Sequence, residues 1–322
     1  MSKTLSIKNK IKKFNKQIQV SGDKSLSIRW VLLASQAIGK SKGYNLLMSE
    51  DVLAALDSIK KLGIKVKIHN KYCEILGEGI NGFKYKKNLT INAKNSGTLG
   101  RLILGLLIKS PKKIRLIGDK SLSKRDFSRI TLPLEKFGAK FYYKTKNKLP
   151  LSILGSQSAK GIKYLEDKGS AQCKSSVMLA ALNSSGTTTI KAKKSRNHSE
   201  LLFKYLKIPI RVKKTKNYDF IDIKQPKKIM AFDYQIPGDI SSSAFFIVLT
   251  ILANNSKLLI KNVNINPSRI GVITILKKMG AKISLRNQKD YRGERISDIL
   301  IQSSNNLKGI NCPSKLNSSA ID

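Results

Sequence analysis

The amino-acid sequence predicts a mixed α/β fold built from repeated units. One phrase, a helix end with a glycine or its substitute and then a short strand, recurs at intervals of about seventy residues. It reads KKLGIKV at 60–66, EKFGAKF at 135–141, KYLKIPIRV at 204–212 and KKMGAKI at 277–283. A chain of 322 residues is also too long for one ordinary hydrophobic core, which suggests two domains. A recurring unit of this size indicates repeated supersecondary structure.

A loop of small polar residues that opens an apolar helix lies upstream of each phrase. These loops are SGDKSLSIRWVLLA from Ser21, NSGTLGRLILGLL from Asn95, GSAQCKSSVMLAAL from Gly169 and PGDISSSAFFIVLTIL from Pro237. Each unit is therefore predicted as loop, helix, strand, helix and strand. In the first unit, the second helix is expected to begin after an N-cap at Ser49 and to stop at Gly63. Its apolar stripe has helical spacing and comprises Val52, Leu53, Leu56, Ile59 and Leu62.

The charge predicts anionic partners. Lys and Arg outnumber Asp and Glu by 62 to 20, a net charge of +42. Lysines are spread along the whole chain beside abundant Asn and Ile, as in an AT-rich coding sequence. Only 7% of the residues are aromatic, whereas nucleic-acid surfaces usually interleave aromatic residues with clustered Arg. We therefore expect small anionic substrates and no nucleic acid.

Cysteine and histidine usage argues against disulfides and metal. Cys73, Cys173 and Cys312 are distant from one another and lack CxxC spacing, which favours a reducing cytoplasm. His69 and His198 are the only histidines, so we expect no metal site. The basic N-terminus has no apolar signal region, and the longest apolar stretch, Ala244–Ala253, is too short to span a bilayer. That stretch is predicted to be a buried helix. We also expect the protein to be a monomer.

The small-residue loops open helices and so offer backbone N–H groups to a phosphate or carboxylate. The alternative is that they only cap helices. In the first loop, Ser25 and Arg29 are four residues apart on one helix face, and Lys24 stands at the start of the helix. The three side chains would converge on one anion and form what we call a basic mouth. The phrase GDKSLS recurs at 118–123 before Lys124 and Arg125, which predicts a second basic mouth.

Two further loops carry candidate ligands. Gly97 in Asn95-Ser96-Gly97-Thr98 has no side chain and lets a ligand approach the backbone, although an ordinary turn explains it equally well. In the third loop, Ser170, Gln172 and Lys174 alternate, so an extended segment would point them the same way. No loop has the GxxxxGK[ST] spacing of a nucleotide P-loop.

Several motifs in register from Lys10 to Asp322 resemble the 5-enolpyruvylshikimate-3-phosphate synthases. They are SGDKSLSIR, NSGT with Arg101, Lys124-Arg125, GSAQCK, SRNHSE, PGDISSSAFF, INPSR and the terminal Ile-Asp. Lys94 stands where the family usually has glycine, and Asp126 where it usually has proline. The resemblance implies a two-domain enolpyruvyl transferase fold of βαβαββ-type units, an inverse α/β barrel, with the active site in a cleft between the domains. Residues 21–237 would form a complete three-repeat domain, and residues 1–20 and 238–322 part of a second.

The resemblance also implies a reaction without metal or organic cofactor. The enolpyruvyl group of phosphoenolpyruvate is transferred to the 5-hydroxyl of shikimate 3-phosphate through a tetrahedral intermediate, in the pathway to chorismate and aromatic amino acids. Lys24 and Asp322 would be catalytic, and Lys24 would touch both substrates. The implied shikimate 3-phosphate ligands are Lys24, Ser25, Arg29, Ser170, Ala171, Gln172, Ser195, Arg196 and Asp322. The implied phosphoenolpyruvate ligands are Lys24, Asn95, Gly97, Arg125 and Gln172.

The sequence ends at SSAID, where the loop of a fifth unit would begin. We therefore expect a truncated chain that lacks further phosphoenolpyruvate-binding residues and is inactive alone. Two other functions fit parts of the sequence. UDP-N-acetylglucosamine enolpyruvyl transferase shares the fold and donor but typically has Lys-Asn at Lys24-Ser25 and a loop cysteine not found near 110–125. A non-catalytic basic binding relic would fit the charge, but it does not explain Lys24, Arg125 and Gln172 together.

Overall fold

The structure, a computed structural model that describes residues 11–320, contains two compact units. The three-sheet unit comprises residues 22–236 together with residues 292–294. The one-sheet unit comprises residues 11–21, 237–291 and 295–320 of the described chain. The main part of the three-sheet unit is thus one continuous stretch of chain, and residues 292–294 add a short second segment.

Helices and strands alternate along the described residues. The helices are α1 (Lys24–Ser35), α2 (Glu50–Lys61), α3 (Gly97–Leu106), α4 (Lys120–Ser123), α5 (Ser128–Glu135), α6 (Ala171–Ala181), α7 (His198–Tyr205), α8 (Ile240–Leu252), α9 (Gly271–Lys278) and α10 (Asn317–Ala320). The strands are β1 (Asn15–Ile18), β2 (Ile38–Tyr44), β3 (Lys65–Ile68), β4 (Tyr72–Glu78), β5 (Leu89–Asn92), β6 (Ile114–Ile117), β7 (Lys140–Tyr143), β8 (Leu151–Leu154), β9 (Lys163–Glu166), β10 (Thr187–Lys193), β11 (Ile210–Lys214), β12 (Tyr218–Lys224), β13 (Tyr234–Gln235), β14 (Lys257–Asn264), β15 (Ile283–Tyr291) and β16 (Glu294–Gln302).

Every sheet of the described residues has the same strand order. The three-sheet unit contains β13-β2-β4-β3, β5-β6-β8-β7 and β9-β10-β12-β11, and the one-sheet unit contains β1-β14-β16-β15. The first two strands of each order run parallel, and the second and third run antiparallel. A parallel pair requires a crossover, which a helix supplies between β5 and β6 and between β9 and β10. Each sheet has four strands, two more than the predicted unit of loop, helix, strand, helix and strand, and this number agrees with the βαβαββ-type unit that the resemblance implies.

The repeated phrase has one backbone conformation in all four places. Gly63, Gly138 and Gly280 have φ angles of 91°, 95° and 96° at the helix ends. Lys207 takes the same place in the third repeat with a φ of 55°. The left-handed conformation ends a helix and is unstrained for glycine, whereas Lys207 adopts it with a small strain. The prediction that Lys207 stands in for glycine is confirmed.

The core of the three-sheet unit is formed around the first helix of each repeat. Helix α3 packs against both α1 and α6. In α1 every residue from Leu26 to Ser35 is buried, and Trp30 is completely inaccessible. A helix buried on all sides needs no amphipathic pattern, because neighbours cover every face. Small and polar residues such as Ser27 and Ser35 are thus buried with the apolar ones.

Helix α2 follows the predicted bounds but differs in two details. Val52, Leu56 and Ile59 are buried as expected, whereas Leu53 is 42% exposed. Leu53 lies beside the stripe, one residue after Val52, and so points past the core. Ser49 is the N-cap residue, but its hydroxyl makes no capping hydrogen bond.

Helix α8 corrects the prediction of a buried helix. Ile240, Ile247 and Ile251 pack into the core of the one-sheet unit, and α8 contacts β14. On the other face, Phe245 is 79% exposed and Leu252 is 69% exposed. The helix is apolar all round, but the described residues cover only one side of it. No described helix has the length and hydropathy needed to cross a membrane.

The two faces of α8 predict opposite mutational costs. Ile247→Ala should lower the free energy of unfolding by about 2–5 kcal/mol, because it leaves a cavity in the core. Phe245→Ala should change it by less than about 0.5 kcal/mol, because the ring is mostly in water. Urea unfolding of both variants measures the difference. Equal losses would show that the exposed face of α8 is covered in solution.

Candidate active site

The first group of candidate residues surrounds the N-terminus of α1. Asp23 caps the helix by accepting a hydrogen bond from Leu26 N at 2.9 Å. Lys24 is the first helical residue, and its half-exposed ammonium lies 3.7 Å from Asp51 Oδ2. Ser25 follows it and is partly buried. The predicted proximity of Ser25 and Arg29 is confirmed, because Arg29 Nη1 donates to the Ser25 carbonyl at 3.0 Å.

Arg29 is buried and its guanidinium holds three helices together. Only 5% of the residue is exposed. Its Nε donates to Ser199 Oγ at 2.9 Å and its Nη2 to Ser175 Oγ at 3.0 Å. Burial lowers the pKa of Arg29 to about 10, while the nearby carboxylates of Asp23, Glu200 and Glu294 raise it and Arg196 lowers it. Arg29 therefore stays charged at neutral pH, with much of its donor capacity used inside the protein.

The second group lies at the N-terminus of α6. Ser170 is the N-cap, and its hydroxyl accepts from Cys173 N at 3.3 Å. Because α6 begins at Ala171, the predicted extended alternation of Ser170, Gln172 and Lys174 is wrong. Successive helical residues are about 100° apart, so Gln172 points away from Lys174, two residues further on. Gln172 reaches α3, whereas Lys174 is completely buried.

The third group gathers at the N-terminus of α3. Ser96 caps this helix through a hydrogen bond from Leu99 N, and Asn95 is exposed just before it. A Cβ at Gly97 would stand 2.9 Å from Arg125 Nη1, so the guanidinium of Arg125 occupies the space that a side chain would fill. The preceding Lys94 has a φ of 51°, the left-handed conformation in which glycine is unstrained.

The second GDKSLS phrase does not form a basic mouth equivalent to the first. Asp119 caps α4 by accepting from Leu122 N at 2.7 Å, much as Asp23 caps α1. Helix α4, however, is only four residues long and ends before Lys124. Arg125 then places its guanidinium at α3. The identical phrase therefore gives the same local cap but a different helix.

Arg101 is a site residue to which the sequence analysis gave no role. Its guanidinium donates to Gln172 Oε1, and it lies over the ring of Phe127 with its Cζ 5.9 Å from the ring centre. Gln172 Nε2 donates to Thr98 Oγ1 at 3.0 Å. Burial lowers the pKa of Arg101, and Arg125 and Arg129 lower it further. The four-residue spacing from Gly97 is the signal that could have placed Arg101 on the site face of α3.

The loop before α7 supplies the last candidates. Ser195 Oγ is buried and has no hydrogen-bond partner among the described residues. Arg196 is partly buried and close enough to Arg29 to lower its pKa. An unpartnered buried hydroxyl next to an arginine in the sequence is a suitable ligand for an oxyanion. The predicted base Asp322 lies outside the described residues.

Helix α6 connects these groups. Gln172 contacts α3, and Ser175 contacts Arg29 of α1 and, at 2.7 Å, Ser199 of α7. The N-terminal residues of α1, α3 and α6, with four arginines, are thereby linked within the three-sheet unit. Within residues 11–320 no three His, Cys, Asp or Glu residues are grouped as a metal would require.

Comparisons with known proteins identify the family. Residues 8–313 match the profile of EPSP synthase (3-phosphoshikimate 1-carboxyvinyltransferase). The chain belongs to the EPSP synthase family. A 3-phosphoshikimate 1-carboxyvinyltransferase of Ruthia magnifica subsp. Calyptogena magnifica is 43% identical over 307 residues, 95% of this chain and 69% of that protein. One from Bacillus subtilis (strain 168) is 36% identical over 305 residues, 94% of this chain and 70% of that protein.

A solved structure extends the similarity to the fold. EPSP synthase from Acinetobacter baumannii superposes with a TM-score of 0.87 at 35% identity, covering 96% of this chain and 70% of that one. The resemblance and the mixed α/β enolpyruvyl transferase fold that it implied are thereby confirmed. The chain is a transferase of this family.

Asp126, beside the site, predicts a pH dependence. It accepts hydrogen bonds from Ser128 Oγ at 2.7 Å and Ser128 N at 2.8 Å. These bonds, and then Arg129 and Arg101, lower the pKa of Asp126 below its ordinary 3.8. The carboxylate thus contributes stability above pH 3.8, and that stability is lost as the pH falls through the lowered pKa. Asp126→Ala should be less stable than the wild type at neutral pH, and the gap should narrow below pH 3.8. Thermal unfolding across the acid range measures it, and a gap independent of pH would contradict the assignment.

Proposed function

We propose that this chain binds shikimate 3-phosphate and phosphoenolpyruvate as part of an enzyme that transfers the enolpyruvyl group to the 5-hydroxyl of shikimate 3-phosphate. The products are 5-enolpyruvylshikimate 3-phosphate and phosphate, on the route to chorismate and aromatic amino acids. Family membership supports the reaction. The proposal is carried by one observation: Gln172 and Ser175 of α6 link the candidate ligands at α3 to those at α1 and α7. Two anionic substrates that react with each other require two linked groups of cations.

We assign shikimate 3-phosphate to the group formed by α1, α6 and the loop before α7. The unpartnered hydroxyl of Ser195, the cap Ser170 and the guanidinium of Arg196 offer donors to a phosphate or carboxylate. Ala171 and Gln172 contribute the first N–H groups of α6, where the helix dipole favours an anion. Ser25 and Arg29 complete the proposed set. Because Arg29 already binds Ser175 and Ser199, its contribution combines charge with orientation.

We assign phosphoenolpyruvate to the N-terminus of α3. Arg125 stands beside the bare backbone of Gly97, and Asn95 and Gln172 flank it. Gln172 has a fixed orientation because it accepts from Arg101 and donates to Thr98. A phosphate at this position would meet backbone N–H groups and a guanidinium, the usual combination at helix N-termini. Lys24 would touch both substrates.

Catalysis requires proton transfer in two directions. The 5-hydroxyl oxygen attacks C2 of phosphoenolpyruvate while a proton is added to C3, giving a tetrahedral intermediate. Loss of a proton from C3 and departure of phosphate restore the double bond. We propose Lys24, whose ammonium is half exposed, as one proton carrier and Asp322 as the group that accepts the hydroxyl proton. In a chain extended to the full length of its relatives, Lys24→Ala should abolish turnover while leaving the fold intact, and unchanged turnover would remove Lys24 from the mechanism.

The remaining assignments follow from composition and organisation. We propose that residues 21–237 form one complete three-repeat domain, supported by three sheets of one strand order, and that residues 1–20 and 238–322 belong to a second.

A reducing cytoplasm is supported by the free thiols of Cys73, Cys173 and Cys312. We also propose a monomer that does not bind nucleic acid. Sedimentation velocity with and without duplex DNA tests both points, and a dimer or salt-resistant DNA binding would contradict them.

Arg196→Ala should weaken shikimate 3-phosphate binding by about tenfold or more, because a charge-assisted hydrogen bond contributes roughly 1.5–3 kcal/mol. Lys194→Ala is the matched control, since it removes one positive charge from an exposed residue of the same loop. Isothermal titration calorimetry at about 150 mM salt, where distant charges are screened, measures both affinities. Equal weakening in the two variants would mean that only overall charge attracts the ligand.

Gly97→Ala should weaken phosphoenolpyruvate binding in the presence of shikimate 3-phosphate by about tenfold, because the new methyl group displaces the Arg125 guanidinium. Gly100→Ala, three residues further along α3, is the control. A Cβ there meets the Ala93 side chain at 3.5 Å, an ordinary contact. Titration of both variants with phosphoenolpyruvate decides the point, and a similar affinity in both would contradict the placement.

A further inference from the structure

A buried ion pair joins the two helices that carry the proposed shikimate 3-phosphate ligands. Lys174 is the fourth residue of α6, and Glu200 is the third residue of α7. Lys174 Nζ lies 2.6 Å from Glu200 Oε1, and the side chains are 0% and 4% exposed. Neither residue is among the proposed ligands.

The pair belongs to a continuous polar seam between α1, α6 and α7. We define the seam as Arg29, Lys174, Ser175, Ser199 and Glu200. The hydroxyls of Ser175 and Ser199 are 2.7 Å apart, and Arg29 donates to each of them. Two neighbouring positions of α6 thus face two neighbouring positions of α7, and the Arg29 guanidinium from α1 donates to both hydroxyls.

Stability alone does not explain this pair. Moving two charges into the protein interior costs several kcal/mol per ion, and their attraction often fails to exceed the gain from well-packed apolar residues. Lys174 Nζ and both carboxylate oxygens of Glu200 have no hydrogen-bond partner of good geometry among the described residues, so the attraction of opposite charges joins the pair. Since apolar side chains of similar volume would fill the space at no greater cost, the useful property of the pair is the fixed N–O distance. That distance holds α6 and α7 in one relative position.

Both members stand close to proposed ligands. Ser170, the N-cap of α6, is four residues before Lys174. Arg196 is four residues before Glu200, and the unpartnered hydroxyl of Ser195 is next to it. A shift of α7 along α6 would therefore change the separation of the two sets of donors. A misplacement of about 1 Å at such donors is enough to lose much of their effect.

We propose that Lys174 and Glu200 are positioning residues for the shikimate 3-phosphate site. Their ion pair sets the separation between the α6 N-terminus and the Ser195–Arg196 loop. The proposal rests on the proposed function for the identity of the ligand, but the geometric part of it concerns the ligand-free protein.

The decisive variant replaces both charges by an apolar pair, Lys174→Met with Glu200→Leu. We expect it to remain folded, whereas Lys174→Met alone should be less stable, because it leaves a buried carboxylate without its cation. The double variant should bind shikimate 3-phosphate about tenfold more weakly than the wild type. Its phosphoenolpyruvate affinity should fall by a clearly smaller factor, since Gln172 is the one proposed phosphoenolpyruvate ligand on α6 or α7. A merely structural role would not separate the two affinities.

The matched control removes the exposed pair Asp57 and Lys61 of α2 as Asp57→Leu with Lys61→Met, which likewise leaves the net charge unchanged. It should bind both ligands as the wild type does. A seam variant that also binds shikimate 3-phosphate with wild-type affinity would overturn the proposal, as would an equal loss for both ligands.

Amide hydrogen exchange of the ligand-free proteins gives an independent readout. The double variant should exchange faster than the wild type at residues 171–172 and 195–197, but not at the first turn of α3. Unchanged exchange at those residues would overturn the positioning role. Faster exchange in a protein whose wild type does not bind shikimate 3-phosphate would instead support the positioning role and contradict the proposed ligand.

Discussion

Three helices of the three-sheet unit meet at the buried guanidinium of Arg29. Arg29 lies inside α1, yet its guanidinium donates to a backbone carbonyl of α1 and to serines of α6 and α7. Removing a charge from water is costly unless every donor finds an acceptor, so the positions of these acceptors are tightly constrained. The pKa of Arg29 is lowered to about 10, which still leaves it ionised at neutral pH. A buried charge of this kind fixes three helices at one point.

The helices around that point are unusual in being buried on all sides. Helices α1 and α6 have serine, cysteine and lysine among their buried residues, which an ordinary amphipathic surface helix would expose. Only their first turns reach the surface of the unit, through Lys24, Ser170 and Gln172. A helix of which only the N-terminus is accessible presents backbone N–H groups and positive dipole to any ligand. The packing that makes the core thus also makes the anion site.

Repetition explains why much of this fold could be predicted from sequence. The four helix ends, including Lys207 in place of glycine, were found because one left-handed residue is needed in each repeat. The loops that open α1 and α6 were found as well, although Asp23 and Ser170 were not predicted as the caps of these helices. The direction of buried polar side chains could not be found in this way. Gln172 and Lys174 alternate in sequence like strand residues. Because α6 begins at Ala171, Gln172 instead points to α3 and Lys174 to α7.

Two other differences have the same origin. Helix α8 is as apolar as a core helix, and sequence does not reveal that Phe245 and Leu252 lack a neighbour among the described residues. The two GDKSLS phrases give the same cap but helices of different length, because the chain after Ser123 turns to bring Arg125 to α3. Local chemistry determines how a helix begins, whereas tertiary contacts determine how long it is and what its far side meets.

The central claim is that the N-terminal residues of α1 and α6 and the loop before α7 form one site for shikimate 3-phosphate. A crystal structure of the chain with this compound tests it most directly. The account predicts the ligand within hydrogen-bond distance of Ser170, Ser195 or Arg196. Binding only at exposed lysines, or in the hollow of about 240 Å³ lined by Arg115, Tyr142 and Lys144, would contradict it.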